Sequence, residues 1–219
     1  TNSKKILEVG SGEFTQFYLV NKKLINRNYE ISKCGGLDLS FKRLHEGKIF
    51  LDQNNINVDF ILQADASNIP ISDNSFDLIY TCHCLEQVPY LFQKSVQEMV
   101  RVSSKFVILI EPSYELSNKT TKKRIYKKNY VKITDKILSK IKGVSNILRK
   151  QLPIRDYSNG AELVIIEKDE ILDAKANDIE FISPKSKDLL ILNKEQNILE
   201  TKNKKEKFLI DKSIIRFIK

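Results

Sequence analysis

Two glycines lie where a backbone turn could closely approach a ligand. Gly10 and Gly12 directly follow Lys5–Val9, an apolar run that we predict to be a buried strand, and a helical stretch comes next. A strand, turn and helix in this order point backbone N–H groups at a ligand near the positive end of the helix. Asp38 and Asp65 close the next two predicted strands, and in a parallel sheet such strand ends share one edge. Because a carboxylate there can accept two bonds from a ribose diol, we predict a nucleoside ligand.

The elements that position these residues alternate between strands and helices through the first 112 residues. We predict strands at 5–9, 60–63, 76–81 and 106–110, a short strand ending at Asp38, and helices at 14–24, 41–54 and 90–102. Ser40 is placed to cap the second helix. This order predicts an α/β fold, a Rossmann-like doubly wound sheet covered by helices.

The second half of the chain has a different pattern. We predict a basic lid over residues 113–145, mostly helical from residue 115 and inserted after the fifth strand. Strands at 147–154 and 162–167, joined by a polar turn at 156–160, would complete the sheet as an antiparallel pair. The short alternating runs in residues 178–219 indicate a small β module, so we expect the main domain to span residues 1–177.

Three segments resemble the class I S-adenosylmethionine-dependent methyltransferases, in the branch of small-molecule and quinone-pathway enzymes. They are Ile6–Gly12, Gly36–Ser40 and Ala64–Gln87, and the last is the most specific because it covers a whole loop, strand and loop. The resemblance implies S-adenosylmethionine as cofactor and S-adenosylhomocysteine as product. It also implies transfer of a methyl group to an oxygen or nitrogen of a small molecule.

The resemblance assigns roles to the matching residues. It implies that Glu8 lies near the methionine amino group, that Asp38 holds the ribose, and that Asp65 helps to frame the adenine. The other cofactor contacts that it implies are Gly10, Ser11, Gly12, Leu39, Ala66, Cys82 and His83. Phe14 departs from the pattern, because the family often has glycine there, and we expect Phe14 to reshape the methionine end of the site.

His83 is the candidate catalytic residue and has two interpretations. An imidazole has an ordinary pKa of about 6.5, so His83 could act as a general base on an acceptor hydroxyl or amine. Alternatively it packs against the cofactor or bonds the next loop, which we favour because methyl transfer from a sulfonium depends chiefly on alignment. Glu111 and Tyr114, near the same edge, are candidates for contact with the acceptor.

The basic charge is concentrated in one segment. The formal net charge is +9, and residues 113–158 carry 13 Lys and Arg against 3 Asp and Glu, whereas the rest of the chain is nearly balanced. A basic lid indicates an anionic acceptor, such as a phosphorylated metabolite, a nucleotide sugar, a lipid-linked sugar phosphate or RNA. Lys122, Lys123 and Tyr126 are the candidate contacts. The alternative is a solvated lysine-rich helix.

Two rival functions stay open from the sequence. An RNA methyltransferase would use the same basic lid, but Cys82–Leu85 stands where a base-nitrogen enzyme would have an Asn/Asp-Pro-Pro-aromatic motif. That difference makes RNA the less favoured partner. A non-catalytic protein that binds S-adenosylmethionine, or a scaffold, is the second rival, and Phe14 suggests it.

The C-terminal segment resembles a second family more faintly, the small zinc-ribbon-like activators of RNA and protein methyltransferases. Ser183–Ser186 stands where those proteins have Cys-Pro-x-Cys, and Thr201 and Lys204 fall near the other ligand positions. Hydroxyl and ammonium groups are poor zinc ligands, so we expect no structural zinc.

The cysteines and the hydropathy bear on the compartment. Cys34, Cys82 and Cys84 form an odd, sparse set without the spacing of a zinc site, so we predict no metal and a reducing cytoplasm. No apolar run approaches the ~20 residues that a spanning helix needs, and no export signal precedes the first strand. We therefore expect no membrane insertion.

Overall fold

One mixed sheet of eleven strands organises the part of the chain that the structure describes. The computed structural model describes residues 4–115, 117–153, 160–172, 174 and 178–218. The strand order is β6-β7-β5-β4-β1-β2-β3-β11-β10-β9-β8. The strands are β1 (Lys5–Val9), β2 (Lys33–Asp38), β3 (Phe60–Gln63), β4 (Phe76–Cys82), β5 (Ser103–Pro112), β6 (Val144–Gln151), β7 (Ala161–Lys168), β8 (Leu190–Asn193), β9 (Ile198–Thr201), β10 (Lys207–Asp211) and β11 (Ile214–Arg216).

The centre of the sheet is parallel. Strands β5, β4, β1, β2 and β3 run side by side in one direction, while β7 pairs antiparallel with β5 and β6 antiparallel with β7. The chain winds in opposite directions from the boundary between β1 and β4, which is where open α/β sheets bind ligands. The predicted Rossmann-like sheet and its antiparallel pair are confirmed. Of the predicted turn at 156–160, residues 156–159 lie outside the described residues.

Helices cover both faces of the sheet. They are α1 (Thr15–Ile25), α2 (Phe41–Gln53), α3 (Phe92–Val102), α4 (Lys119–Lys127) and α5 (Asp135–Leu138). Ser40 caps α2 as expected, since its hydroxyl accepts the N–H of Arg43 at 3.3 Å. Apolar residues of α1 and α2 pack with Ile61 in one cluster, whereas those of α3 pack with Leu62 in the other. Neighbouring residues of a strand point to opposite faces, so the two clusters cover opposite sides.

The lid is less helical than its composition suggested. Its helices α4 and α5 are short, and β6 already begins at Val144. Between the helices, Asn129 has a φ of 52°, in the left-handed region that ends a helix. Val131 and Ile133 then enter the main core instead of continuing a helix. Lysine-rich sequence favours helix, but here the burial of these two β-branched side chains decides the backbone path.

An ionic cluster around the largely covered Arg149 side chain ties the lid to the sheet. The Arg149 guanidinium on β6 binds the Glu162 carboxylate at 2.8 Å, Glu115 at 2.5 Å and Asp135 of α5 at 2.6 Å. Glu162 is completely buried, so its charge depends on this partner. Arg149 therefore holds both ends of the lid against the antiparallel edge.

The C-terminal strands continue the sheet of the main domain. Strand β11 pairs parallel with β3, with Ile214 opposite Ile61 and Ile215 opposite Leu62. Ile214 belongs to one core cluster and Ile215 to the other, so β11 is covered on both faces. The segment between 178 and 218 thus shares its core with the parallel strands.

Hydrogen bonds link the turn at Ser183–Ser186 to the turn that follows Thr201. The Ser183 hydroxyl donates to Glu206 Oε2 at 2.6 Å and accepts the N–H groups of Lys185 and Ser186. On the facing turn, Thr201 Oγ1 accepts the Glu206 N–H at 3.2 Å. Glu206 therefore connects the two turns, because its carboxylate binds Ser183 and its N–H binds Thr201. Among the described residues no group of His, Cys, Asp and Glu side chains is suited to hold a metal ion.

Within the described residues, every helix is too short or too polar to cross a bilayer.

Removing side-chain volume from β11 should destabilise the whole fold. Ile214 is fully buried, so Ile214→Ala should lower the free energy of unfolding by about 2–5 kcal/mol, as measured by urea titration. Leu209→Ala on the neighbouring β10 is the matched control, because Leu209 is 50% exposed and its loss should cost well under half as much. Equal losses in the two variants would contradict a shared core.

Candidate functional site

A cleft of about 380 Å³ opens at the carboxyl edge of the parallel strands. The loops after β1, β2, β3 and β4 all contribute to it, together with the starts of α1 and α3. Its walls are formed by Glu8, Gly10, Ser11, Thr15, Gln16, Leu37, Asp38, Leu39, Arg43, Ala64, Asp65, Ala66, Cys82, His83, Cys84, Leu85, Gln87, Val88, Leu91 and Ser95. Its position is the one that the strand order indicates for a ligand.

The structure brings nine of the ten predicted cofactor residues into this cleft. Gly12 is the tenth and lies just behind the wall, where its N–H donates to Asp38 Oδ2 at 3.0 Å. Its φ of 50° is a left-handed conformation that glycine adopts more easily than other residues. A Cβ there would also lie 2.3 Å from the Arg43 guanidinium, which would have to move. Gly12 thus shapes the turn and orients a carboxylate of the wall.

Glu8 is a buried carboxylic acid at the floor of the cleft. It is 1% exposed, and its Oε2 has no hydrogen-bond partner. Burial, with the nearby negative charge of Asp38, raises the pKa of Glu8 to about 8. A buried oxygen of this kind is suited to a ligand that brings its own N–H donor.

Asp38 and Asp65 are both held by backbone amides. Asp38 accepts the N–H of Ser40 at 2.8 Å through Oδ1 and that of Gly12 through Oδ2. Asp65 Oδ1 accepts the N–H of Ser67 at 2.7 Å. The bonds from Ser40 and Ser67 each close a tight local turn, whereas the bond from Gly12 links the loop after β1 to the end of β2. These bonds fix the direction of each carboxylate at its strand end.

Phe14 does not reshape the cleft as we expected. Its ring is fully buried in the cluster with α1 and α2 and is absent from the cleft wall. Its backbone has a φ of 60°, the left-handed conformation that a glycine would adopt easily. Gly36 and Gly47 give the ring its space, because a Cβ on either would lie within 2.6 Å of it. The glycine-like turn is kept, and the Phe14 side chain lies in the core and not in the cleft.

His83 belongs to the cleft wall and directly follows β4. It has a φ of 53°, its side chain is 46% exposed, and Nδ1 lies 3.4 Å from Glu86 Oε2. The hydrogen bond with Glu86 raises the pKa of His83, against the opposing effect of burial.

Glu111, a candidate for acceptor contact, lies beneath this loop and not in the cleft wall. Its Oε1 accepts the N–H groups of Cys84 and Leu85 at 3.1 Å, and its Oε2 accepts that of Glu86 at 3.2 Å. Burial raises the pKa of Glu111 to about 7. This carboxylate therefore positions the loop after β4.

The lid residues that we considered for the acceptor, Tyr114, Lys122, Lys123 and Tyr126, do not line the cleft. The Lys132 ammonium lies 5.2 Å from the Tyr114 ring and 5.0 Å from the Tyr126 ring, and Lys122 lies 5.9 Å from Tyr114. Lys123 is exposed on α4 beside them. The Val131 N–H donates to the Glu86 carbonyl at 2.9 Å, which attaches the lid to the loop of His83.

The C-terminal segment contacts the loop that carries Asp65 and Ala66. Asn68 donates to the Pro184 carbonyl at 2.9 Å and accepts from Lys187 Nζ at 2.5 Å. The Ile182 N–H donates to the Pro70 carbonyl at 3.1 Å. One wall of the cleft is thus supported by the C-terminal segment.

Sequence reasoning missed several wall residues. Thr15, Gln16 and Arg43 come from the starts of helices, and Gln87, Val88, Leu91 and Ser95 from the segment before and within α3. Arg43 is held in place by a bidentate bond to Glu13, at 2.8 and 2.7 Å. The helix-start positions could have been found from the rule that ligands approach helix N-termini at this edge.

Residues 7–110 match the family model described as "Methyltransferase domain". This segment belongs to that family. The match spans β1 to β5 and so contains every loop of the cleft. The methyltransferase domain uses S-adenosylmethionine as its cofactor.

Solved structures share the fold of this methyltransferase. The N-methyltransferase NodS of Bradyrhizobium japonicum, in complex with S-adenosyl-L-homocysteine, is 11% identical with a TM-score of 0.57, over 77% of this chain and 79% of that one. Magnesium protoporphyrin IX methyltransferase of Synechocystis, with bound SAH, is 13% identical with a TM-score of 0.56, over 75% and 73%. The [4+2]-cyclase SpnF is 13% identical with a TM-score of 0.59, over 75% of each chain. At these identities the likeness establishes a common fold.

The cleft fits S-adenosylmethionine by its own chemistry. It offers an unpartnered buried carboxyl oxygen at Glu8, a strand-end carboxylate at Asp38, and a glycine turn at Gly10. Gly10 has a φ of 76°, and a Cβ there would lie 2.2 Å from Cys84 Sγ. Any residue other than glycine at position 10 would therefore clash with Cys84.

Replacing the Glu8 carboxyl should change how stability depends on pH. Because folding raises the pKa of Glu8 from 4.5 to about 8, the free energy of unfolding falls as pH rises through this interval. Glu8→Gln removes that loss, so its stability relative to wild type should improve by up to about 1.4 kcal/mol per pH unit between pH 5 and 8.

Urea titrations of the ligand-free protein at several pH values would measure this effect. Glu30→Gln, at an exposed position, is the control and should leave the pH dependence unchanged. A constant difference between Glu8→Gln and wild type across this range would contradict the raised pKa.

Proposed function

We propose that this methyltransferase acts on a small anionic acceptor, such as one that carries a sugar or a phosphate. The acceptor binds between the cleft and the basic lid. The observation that carries the proposal is the charge of the lid beside the cleft. Residues 116–134 hold seven Lys and Arg and no Asp or Glu. An acceptor with negative charge would be drawn to the cleft mouth by that field.

The cofactor would lie along the cleft with its methionine end at β1. Glu8 would accept from the methionine amino group, which as a cation would favour the ionised carboxylate. Asp38 and Leu39 would hold the ribose, and Asp65 and Ala66 the adenine. The support for this arrangement is the order of these residues along the strand ends.

The acceptor would then reach the methyl group from the lid side. Cys82 and His83, at the end of β4, would flank the sulfonium, because they follow the strand next to β1. The cofactor supplies an activated methyl group, and the task left to the chain is alignment of the acceptor and exclusion of water. Lys122, Lys123 and the Tyr114–Lys132–Tyr126 stack are the proposed acceptor contacts.

RNA is the second candidate acceptor, favoured by one observation. Tyr126 is 74% exposed within the acid-free lysine segment, and an exposed aromatic ring among cations is suited to stacking on a base. The two candidates differ in the salt dependence of their binding, which is steeper for RNA.

Loss of the Asp38 carboxylate should remove most cofactor binding. At a hundredfold excess over Kd, a ligand stabilises its protein by about 2.7 kcal/mol, which for this chain length raises Tm by roughly 5–10 °C. S-adenosylhomocysteine should produce such a shift in wild type and little of it in Asp38→Ala. Asp52→Ala, on the exposed side of α2, is the control and should keep the full shift.

Acceptor binding should be more sensitive to salt than cofactor binding. Raising ionic strength from 0.1 to 1 M shortens the screening length from about 10 to about 3 Å, which weakens attraction to exposed lysines. Calorimetry of the S-adenosylhomocysteine complex with inorganic diphosphate should therefore show affinity falling with salt, and falling again in Lys122→Ala/Lys123→Ala. The control pair Lys202→Ala/Lys205→Ala lies in the exposed turn between β9 and β10 and should bind like wild type.

Two outcomes would count against a small anion. Equal salt sensitivity of diphosphate and cofactor would mean that the lid is ordinary solvated surface. A short RNA hairpin that binds more tightly than diphosphate, with a steeper salt slope of about −0.7 or more per phosphate contacted, would favour RNA.

A further inference from the structure

His83 and Glu86 form an acid–base pair in the loop after β4. The ring Nδ1 of His83 lies 3.4 Å from Glu86 Oε2, and the Glu86 side chain is only 7% exposed. The imidazole itself is about half exposed and belongs to the cleft wall. One ring nitrogen therefore faces a buried carboxylate while the rest of the ring borders the space for a substrate.

The backbone around this pair is fixed on every side. The His83 N–H donates to the Ile110 carbonyl at 2.9 Å, and the Glu86 N–H donates to Glu111. The Glu86 carbonyl accepts from Val131 of the lid. His83 holds a left-handed φ of 53°, a conformation that a histidine adopts rarely and that these bonds maintain. The ring is thus aimed by the surrounding structure.

Three charged groups face His83 and set its protonation. Glu86 and, more distantly, Glu111 favour the imidazolium, whereas Arg124 of α4 opposes it, and the pKa of His83 is raised on balance. A carboxylate at Nδ1 selects the tautomer with the proton on Nδ1. That tautomer leaves the Nε2 lone pair free to accept a proton.

We propose that His83 is a general base whose Nε2 takes the proton of an acceptor hydroxyl, with Glu86 as its positioning residue, so that this enzyme methylates oxygen on an anionic molecule. The inference rests on the proposed function in one respect, the negative charge of the acceptor. It adds the identity of the accepting atom.

Two features of the site select a hydroxyl. A carboxylate or thiolate acceptor already has its lone pair available and needs no base. An aliphatic amine acceptor would arrive as an ammonium ion, and the cationic lid repels it. A hydroxyl is neutral, loses a proton on methylation, and can be carried by an anion that the lid attracts.

The proposed step balances in atoms and charge. The oxygen lone pair forms the new bond to the methyl carbon as the carbon–sulfur bond breaks, and the sulfur of S-adenosylmethionine keeps that electron pair. The hydroxyl proton passes to Nε2, which gives an imidazolium beside the Glu86 carboxylate. The products are the methyl ether, S-adenosylhomocysteine and protonated His83, which returns its proton to water.

The tautomer and pKa of His83 can be measured without knowing the acceptor. The chain has two histidines, so nitrogen NMR of histidine-labelled protein with S-adenosylhomocysteine bound resolves both, and His45→Gln assigns them. We expect neutral His83 to carry its proton on Nδ1 and Glu86→Gln to lower its pKa, because an amide does not stabilise the imidazolium. A proton on Nε2, or an unchanged pKa in Glu86→Gln, would overturn the proposal.

Turnover with matched anions tests the accepting atom. The probes are 3,4-dihydroxybenzoate against 3,4-diaminobenzoate and glycerol 3-phosphate against phosphoethanolamine. We expect transfer to hydroxyl members only, and a kcat in His83→Gln at least 100-fold lower with KM little changed. The low-pH limb of the rate profile should move to lower pH in Glu86→Gln, which a merely structural defect would not cause.

The opposite results have separate meanings. Transfer to an amine member, or an unchanged kcat in His83→Gln, would overturn the hydroxyl assignment while leaving an anionic acceptor in place. If none of the four anions binds, the proposed anionic acceptor is wrong, and no acceptor is then assigned to the His83–Glu86 pair. The NMR result distinguishes this outcome, since it reports on the pair alone.

Discussion

Parallel strands that end at a common edge bring the polar ends of distant segments together, and the cleft depends on that constraint. Here the loops after β1, β2, β3 and β4 meet within one cavity, although they are spread over some 80 residues of sequence. Two carboxylates, Glu8 and Asp38, are thereby crowded close enough for one to raise the pKa of the other. The same geometry leaves a buried oxygen without a partner. A ligand that supplies a cation and a diol would offset the repulsion between the two carboxylates and would give the buried oxygen a hydrogen-bond partner.

Much of this arrangement could be predicted from the sequence because it follows from local signals. The bounds of β1 and β3 agree with their apolar runs, and the Ser40 cap lies where the residue type indicates. The order of strand-end residues then places nine of ten predicted contacts in one cleft. Strand periodicity and strand-end chemistry act over a few residues, so a single sequence carries them.

The parts that could not be predicted depend on contacts between distant segments. Phe14 looks like a change in the site, but its ring direction is decided by the absence of side chains at Gly36 and Gly47. Glu111 resembles an acceptor contact because it follows the strand predicted at 106–110, yet the three N–H groups that it accepts come from another loop. The parallel pairing of β11 with β3 leaves no local trace in either strand. In each case the local sequence is compatible with more than one position or role, and tertiary packing decides which one occurs.

The pairing of β11 with β3 also bears on how this protein folds. Arg216 Nε binds Gln63 Oε1 across a separation of 153 residues, and β11 closes the parallel sheet over the same distance. Contacts this far apart form late, because the intervening chain must be ordered before they stabilise anything. Until then β3 is an open edge with buried-type side chains on both faces, and such edges readily pair with other chains. The pairing of β11 with β3 is therefore the slow step of folding, and newly made chains are most prone to aggregation before it occurs.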